Sequence, residues 1–474
     1  MASLFHHLQD KYEQVFDQQL RIAVTGLSRS GKTAFITSFI NQLLTLDGDK
    51  SQLPFFTPAA KGWIKGVAIV PQKDLTVPTF PYLENINSLK GQTPVWPKAT
   101  TDISTIRLAI KYQLPRSLWD RVKDINFKDI ETLYVDIVDY PGEWLLDLPL
   151  LNLSYDAWSS SSYFVASEQR KTLAQDWLQA LANFDPKAKA DEEQIRQITK
   201  EFTNFLHACK AQGLEYIQPG RFVLPGSYQN APILQFFPLV NYTAEQWQEL
   251  NKFARNNPES AIAVLQKRYQ TYVQTFVKDF YKEHFERFDR QIILIDCLTP
   301  LNHSAQAFNE TQLALEQIFQ NFQYGSRNLW NRLFSPQIDK LVFAASKTDH
   351  VTSDQVANLT SLLKQLTQNN NRQASYQNIT TDFVPVASIR ATQQLEVEKD
   401  GKVYKVLQGK SKENNELKYI YPGSVPPYLP EASFWQNHTF AFEEFAPLPI
   451  SPQGKISSLG MDRVFEILLG DKFK

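Results

Sequence analysis

Two hydrophobic periods alternate along this chain. Compact apolar, often β-branched runs occur at Arg21-Ile22-Ala23-Val24-Thr25, Leu133-Tyr134-Val135-Asp136-Ile137-Val138, Gln291-Ile292-Ile293-Leu294-Ile295-Asp296, Leu341-Val342-Phe343-Ala344-Ala345 and Phe383-Val384-Pro385-Val386-Ala387, and each predicts a buried strand. Ile106, Leu108 and Ile110 alternate with Arg107 and Lys111, which predicts a further strand over 103–112, and Val67-Ala68-Ile69-Val70 predicts a shorter one. Between these runs the period lengthens to that of a helix. Phe35, Ile36, Phe39, Ile40, Leu43 and Leu44 form one apolar stripe, Ala307, Leu313, Leu315, Ile318 and Phe319 a second, and Val356, Leu359, Leu362, Leu363 and Leu366 a third. Strands that alternate with helices call for an α/β fold with a doubly wound, mostly parallel sheet and a ligand at the strands' carboxyl ends.

From 145 to 290 the helical period runs almost without a strand, which predicts a large all-α insertion subdomain. Ile195, Ile198, Phe202, Phe205 and Leu206 mark one of its helices. Thr243-Ala244-Glu245-Gln246 opens another as a capping box, and a third runs from about Ser260 to Phe285. The chain then divides into 1–144 and 291–474, the two parts of one nucleotide-binding domain, and the insertion between them. Residues 4–20 read as a helix packed on that domain, and the Pro- and aromatic-rich stretch 47–98 as short strands and loops. Residues 393–406 read as an exposed hairpin, 421–452 as a surface wrap, and Met461–Leu469 as a closing helix.

Composition narrows the function. A formal net charge of −1 and no dominant basic run exclude nucleic acid as a general partner. Cys209 and Cys297 form neither a C-x-x-C pair nor a Cys/His cluster, so no disulfide framework or zinc site is expected and a reducing cytoplasm fits. The first residues lack a secretory leader and no apolar run reaches the length of a membrane span, which leaves a soluble protein or one attached peripherally to a membrane.

Gly26-Leu27-Ser28-Arg29-Ser30-Gly31-Lys32-Thr33 fits G-x-x-x-x-G-K-[ST] between a strand and a helix, the context a P-loop needs. The backbone of Gly26, Ser28, Arg29, Ser30, Gly31, Lys32, Thr33 and Ala34 would wrap phosphate oxygens at the positive end of the helix dipole. Lys32 would reach the β- and γ-phosphates and Thr33 would ligate Mg²⁺. Arg29 is a candidate for cationic assistance in cis, although such an arginine more often points to solvent.

The strand over 133–138 ends in Asp139-Tyr140-Pro141-Gly142, a D-x-x-G switch element in which Asp139 would hold the Mg²⁺ shell and Gly142 would approach the γ-phosphate. Thr100 and Thr101 are alternative switch I ligands of the metal. Glu143 stands where a glutamine orients the attacking water in Ras-like proteins. A glutamate can accept from water but cannot donate to phosphate, and its charge repels the phosphate, so slow intrinsic hydrolysis is expected. Ser346-Lys347-Thr348-Asp349 approximates the guanine signature [NT]-K-x-D, in which the Asp349 carboxylate would accept from guanine N1–H and N2–H₂ and the Lys347 stem would cover the base. Ser388 and Ile389 would stand in the loop that donates a backbone N–H to the guanine carbonyl.

Together with Ile-Asp-Cys-Leu-Thr-Pro-Leu-Asn at 295–302 and Leu-Leu-Gly-Asp-Lys at 468–472, the P-loop and Asp-Tyr-Pro-Gly-Glu-Trp at 139–144 make the chain resemble the YcjX-like P-loop GTPases over nearly its whole length. The resemblance implies a bacterial cytoplasmic protein with a Ras-like nucleotide domain, a helical insertion after switch II and an association with envelope or heat stress. Ser346 departs from the usual Thr or Asn. The leading expectation is a Mg²⁺-dependent GTP/GDP switch whose helical insertion binds a protein partner. The alternatives are an ATPase or small-molecule kinase, and a nucleotide-stabilised scaffold without turnover.

Overall fold

Seven strands build one sheet because their apolar residues face helices on either side. The computed structural model describes residues 18–46, 53–114, 130–280, 288–320, 338–368, 379–437 and 440–473. Strands β1 (Gln18–Gly26), β2 (Ile64–Val70), β3 (Ser104–Tyr112), β4 (Glu131–Asp139), β5 (Arg290–Ile295), β6 (Lys340–Ala345) and β7 (Thr380–Pro385) lie in the order β2-β3-β4-β1-β5-β6-β7. Pairs from β4 to β7 are parallel, whereas β2–β3 and β3–β4 are antiparallel. The fold is therefore a mixed α/β one with a mostly parallel sheet. Parallel pairing brings Gly26, Asp139, Ile295, Ala345 and Pro385 to the same edge, where the loops that follow β1, β4, β5, β6 and β7 gather.

Contacts within the chain define two compact units. The first comprises Met1–Tyr140, Phe288–Asn302 and Gln337–Lys474, and the second Pro141–Arg287 and His303–Pro336. Helix Ala305–Gln320, which the sequence pattern places with the resuming α/β segment, thus groups with the second unit.

In the first unit, helix Lys32–Leu44 buries Phe35, Ile36, Phe39, Ile40 and Leu43 in a core that also holds Val24, Ile106, Leu108 and Ile137. The closing helix Met461–Leu469 matches the expected range, and its Phe465 ring lies 4.6 Å from that of Phe39. Arg290, fully buried at the start of β5, is neutralised by Asp471 at 2.5 Å and Asp339 at 3.0 Å, which ties the chain's end to the sheet edge away from the P-loop. The expected hairpin is real and larger: β8 (Thr392–Lys399) and β9 (Lys402–Lys410) are joined by Asp400-Gly401, both at positive φ, and β10 (Leu417–Ile420) adds a third strand. The helix expected over 4–20 lies outside the described residues apart from 18–20, which open β1.

Among the described residues, the regular elements of the second unit are all helical. Helix Glu192–Ala211 is capped by Asp191, which accepts from the amides of Glu193 and Gln194. Helix Ala244–Asn256 carries the predicted Thr243/Gln246 capping box. Helix Ala261–Tyr272 continues into a wider π turn over Val273–Lys278, and residues 281–285 of the expected helix lie outside the described ones. Trp158, Phe164, Trp177, Phe202, Phe236 and Tyr269 form an aromatic core, in which the Trp158 and Tyr269 rings stack at 5.2 Å.

Candidate functional site

The turn from β1 into its helix is closed by two glycines with different tasks. A Cβ on Gly26 would lie 2.4 Å from Ser30 Oγ and 2.6 Å from the Leu294 carbonyl oxygen, so the loop tolerates no side chain there. Gly31 takes φ +91° at the helix N-cap, and a methyl added to it would meet nothing within 4 Å, so its requirement is conformational rather than steric. Arg29, also at positive φ (59°), is exposed at the loop's tip. Lys32 is buried and donates to the carbonyls of Gly26 at 2.9 Å and Leu27 at 3.0 Å, which folds its ammonium back over the loop. Ser28 and Ala34 are half-buried beside it.

Thr33 Oγ1 lies 2.9 Å from Thr100 Oγ1, and the Thr100 hydroxyl donates to Asp139 Oδ2. The structure thereby brings together Thr33, Thr100 and Asp139, whereas Thr101 is exposed. Asp139 is 2% exposed, and burial pushes its carboxyl up to about 6 against the opposing effects of the Thr100 hydroxyl and the Lys32 charge. Its Oδ1 and the Oγ of Ser30 are buried with no hydrogen-bond partner among the described residues. Leaving such groups unpaired costs about 1–3 kcal/mol each. Two hydroxyls and a carboxylate form an oxygen donor set suited to a hard divalent cation, so these residues fit Mg²⁺ beside a phosphate cradle. Tyr140, one residue on, is fully buried and shares a 2.6 Å hydrogen bond with Thr25, which also accepts from Gln291 at 2.8 Å. That bond ties the end of β4 to the P-loop strand.

The second unit begins at Pro141, and Gly142 and Glu143 open a run of 3₁₀ turns over Gly142–Asn152. The Glu143 carboxylate is buried and paired with Lys210 Nζ at 2.5 Å, so the charge that sequence reasoning sets against the phosphate is already balanced by a cation.

The segment over 346–349 is built more tightly than its sequence implies. Lys347 takes φ 58°, and its ammonium pairs with Asp296 Oδ2 at 2.6 Å and reaches Thr299 Oγ1 at 2.9 Å. Asp349 Oδ2 accepts from the amides of Ala391 at 2.6 Å and Thr392 at 3.2 Å, and Oδ1 faces His350 Nδ1 at 3.2 Å. Its side chain is 3% exposed. Burial alone would raise the carboxyl's pKa; the His350 ring and the two amides outweigh it and hold the group below its usual range. Ser346, whose amide donates to Ile295 at 3.0 Å, holds this loop against the end of β5. Ile389 is buried in the core and Ser388 is half-buried beside it.

Sequence reasoning passed over three of these groups. Asp296 carries a local signal, since D-x-x-T after a strand is a helix-capping pattern, and it accepts from the amides of Leu298 and Thr299. Glu444, whose carboxyl is kept low against burial by Lys412 and, at longer range, by Lys347 and Arg29, comes from a Pro-rich segment without periodicity. Lys210 sits on an ordinary amphipathic helix and gives no signal at all.

Comparison with known proteins follows the same lines. A family model described as the YcjX-like family, DUF463, matches residues 20–473. A relative named Ras-like GTPase YcjX from Escherichia coli (strain K12) is 43% identical over 474 residues, covering 100% of both chains. A second relative of the same name from Shewanella oneidensis is 38% identical over 479 residues, covering 98% of this chain and 97% of its own.

Proposed function

This chain belongs to the YcjX-like family, and from that premise we propose that it is a Mg²⁺-dependent GTP-binding protein with slow GTPase activity that acts as a nucleotide-controlled switch. The observation that carries the reading is the junction of Thr33, Thr100 and Asp139 beside a P-loop that holds a buried, unpartnered Ser30 hydroxyl. When bound, Mg²⁺ neutralises phosphate charge and fixes phosphate geometry. Thr33, Thr100 and Asp139 would hold it, and Lys32 would exchange two carbonyl partners for phosphate oxygens. The Gly142 amide would meet the γ-phosphate, and Glu143 would accept a hydrogen bond from the attacking water.

In this reading Lys347 and Asp349 choose guanine, Asp349 through the remaining lone pair of Oδ1 once the His350 contact yields, and Ser388 and Ile389 supply the loop beside the base carbonyl. Arg29 lies at the cradle's rim and contributes charge rather than chemistry. Residues 145–290 act as a helical insertion that binds a protein partner, because they begin directly after the D-x-x-G element. A cytoplasmic setting, with peripheral membrane contact and a part in bacterial stress response, completes the reading. No helix among the described residues is long and apolar enough to cross a membrane.

Calorimetric titration with GDP and ADP, each with and without Mg²⁺, tests the proposal. Tighter binding of GDP than ADP, lost in Lys32→Ala, is the expected result; equal affinity for both bases would move the protein to the ATPase or kinase class. Phosphate release that depends on Lys32 separates a GTPase from a nucleotide-stabilised scaffold.

A further inference from the structure

The sheet of β8, β9 and β10, which lies wholly in the first unit, has two unlike faces. Directly opposed residues of an antiparallel pair project to the same side, so the register sorts the side chains. One face takes Gln394, Lys405, Gly409 and Lys418, and it is occupied. A Cβ on Gly409 would fall 2.6 Å from the Phe445 ring, Gln394 accepts from the Ser353 amide at 2.7 Å, Lys405 reaches Asp354 at 3.9 Å and Lys418 pairs with Glu443 at 2.5 Å. On the other face Val397 opposes Tyr404, Leu417 opposes Lys410, and Tyr419 opposes Gln408, whose amide donates to the tyrosine oxygen at 2.8 Å. That face is open. Leu395, Val397, Tyr404, Leu417 and Tyr419 on it are between 37% and 56% exposed.

Charge is sorted by the same register. Glu396 and Glu398 stand on the occupied face, whereas Lys402 and Lys410 are the charged groups of the open one among the described side chains. Neither lysine pairs with a carboxylate among the described residues. Asp400, Glu413 and Glu416 lie in the turns at the ends of the sheet, outside its strands. A two-fold dimer through this face would set lysines against lysines without a carboxylate to balance them, which disfavours a second copy. A bilayer with anionic headgroups suits each part: the ammonium groups meet lipid phosphate, the tyrosine rings lie at the interface with their hydroxyls in water, and the aliphatic side chains enter the acyl boundary. With a net charge of −1 on the whole chain, attraction to such a surface has to come from a local patch. We propose that the open face of the β8-β9-β10 sheet is a peripheral docking surface for an anionic lipid bilayer. The inference rests on the peripheral membrane contact proposed above and gives it a surface and a lipid class.

Cosedimentation of the full chain with phosphatidylcholine vesicles, with and without phosphatidylglycerol, tests it, with thermal melting measured on every variant. The unaltered protein should bind the vesicles that contain phosphatidylglycerol, and less so as salt rises. Lys402→Glu combined with Lys410→Glu should bind at least about twentyfold more weakly, since each lysine near an anionic surface is worth roughly a factor of five. Lys90→Glu combined with Lys111→Glu changes the net charge equally at exposed positions off this sheet and should bind as the unaltered chain does. Tyr404→Thr combined with Leu417→Thr keeps residues suited to a strand and should bind about tenfold more weakly at an unchanged melting temperature. A loss confined to the Lys402/Lys410 variant, or one that follows a fallen melting temperature, would overturn docking through this face. Full binding by both face variants overturns this surface and leaves the membrane contact standing. An unaltered chain that ignores both kinds of vesicle, or that binds polyglutamate in their place, overturns the membrane contact and this inference with it.

Discussion

Thr33 and Thr100, separated by 67 positions in the chain, bring their hydroxyl oxygens to 2.9 Å from each other, with Asp139 as the next partner of Thr100. One residue opens the P-loop helix, another precedes β3, and the third ends β4, so the sheet order is what makes them neighbours. The two threonines that sequence leaves equivalent are separated by it. Thr100→Val should weaken Mg²⁺-dependent binding of a non-hydrolysable GTP analogue about tenfold, or ~1.4 kcal/mol, while GDP binding changes much less. Thr101→Val, at an exposed position, should leave both unchanged. Titration of the two variants decides the matter, and equal effects at both positions would sink the assignment.

Asp349 has an observed role, as acceptor for the amides of Ala391 and Thr392, and a proposed one, in reading the base, and substitution can separate them. Asn keeps a carbonyl oxygen able to accept from Ala391 and Thr392 but puts an NH₂ where Oδ1 stood. Asp349→Asn should therefore fold with little loss and bind GDP at least about tenfold more weakly, while gaining affinity for xanthosine diphosphate, whose additional carbonyl accepts from an amide. Asp349→Ala should also melt earlier, because two buried amides lose their acceptor at about 1–3 kcal/mol each. Unchanged base preference in Asp349→Asn, with the same stability, would show the carboxylate to be a clamp and nothing more.

Gly220 makes a purely steric prediction. A methyl there would meet the Glu143 carbonyl oxygen at 2.0 Å, and the neighbour is backbone that cannot rotate away. Gly220→Ala should destabilise the protein by about 1–3 kcal/mol, the usual cost of overpacking. Denaturant midpoints read it directly, and a midpoint equal to that of the unaltered chain would contradict the close approach.

Local chemistry explains which parts of this architecture sequence makes legible. The five parallel-paired strands, the P-loop helix and the closing helix are periodic because each buries one face or both, and the alternation of strands with helices is what marks the sheet as mostly parallel. The P-loop and D-x-x-G motifs are equally visible, because a phosphate cradle demands glycine at fixed positions. The antiparallel edge is not legible: β2, with Gly66 inside it and mostly exposed or half-buried residues, carries too little apolar signal to declare its direction. Lys210 and Glu444 escape for a different reason. Their importance lies only in what tertiary packing places beside them, and a lysine on a helix or a glutamate in a loop looks the same wherever it ends up.

Asp147 supplies a pH dependence with a definite sign. Its carboxyl is fully buried, accepts from the Gly220 amide at 2.7 Å and from the Tyr272 hydroxyl, and is pushed up to about 7, chiefly by burial. The folded chain therefore holds this proton more firmly than the unfolded chain, whose carboxyl titrates near ~4. Below about pH 4 both states are protonated and the group costs nothing; between about pH 4 and 7 stability falls as pH rises, and above that range the full penalty remains. A shift of this size corresponds to at most about 4 kcal/mol. Asp147→Asn keeps an oxygen for Gly220 and offers an NH₂ to the Tyr272 oxygen without ever ionising, so it removes the penalty. At pH 4.5 the variant and the unaltered protein should unfold at nearly the same denaturant concentration, and at pH 7.5 the variant should be the more stable, by a margin that grows between those two values and levels off above about pH 7. Because Asp139 and every other titrating group is common to both proteins, the difference reports Asp147 alone, and a difference independent of pH would refute the assignment.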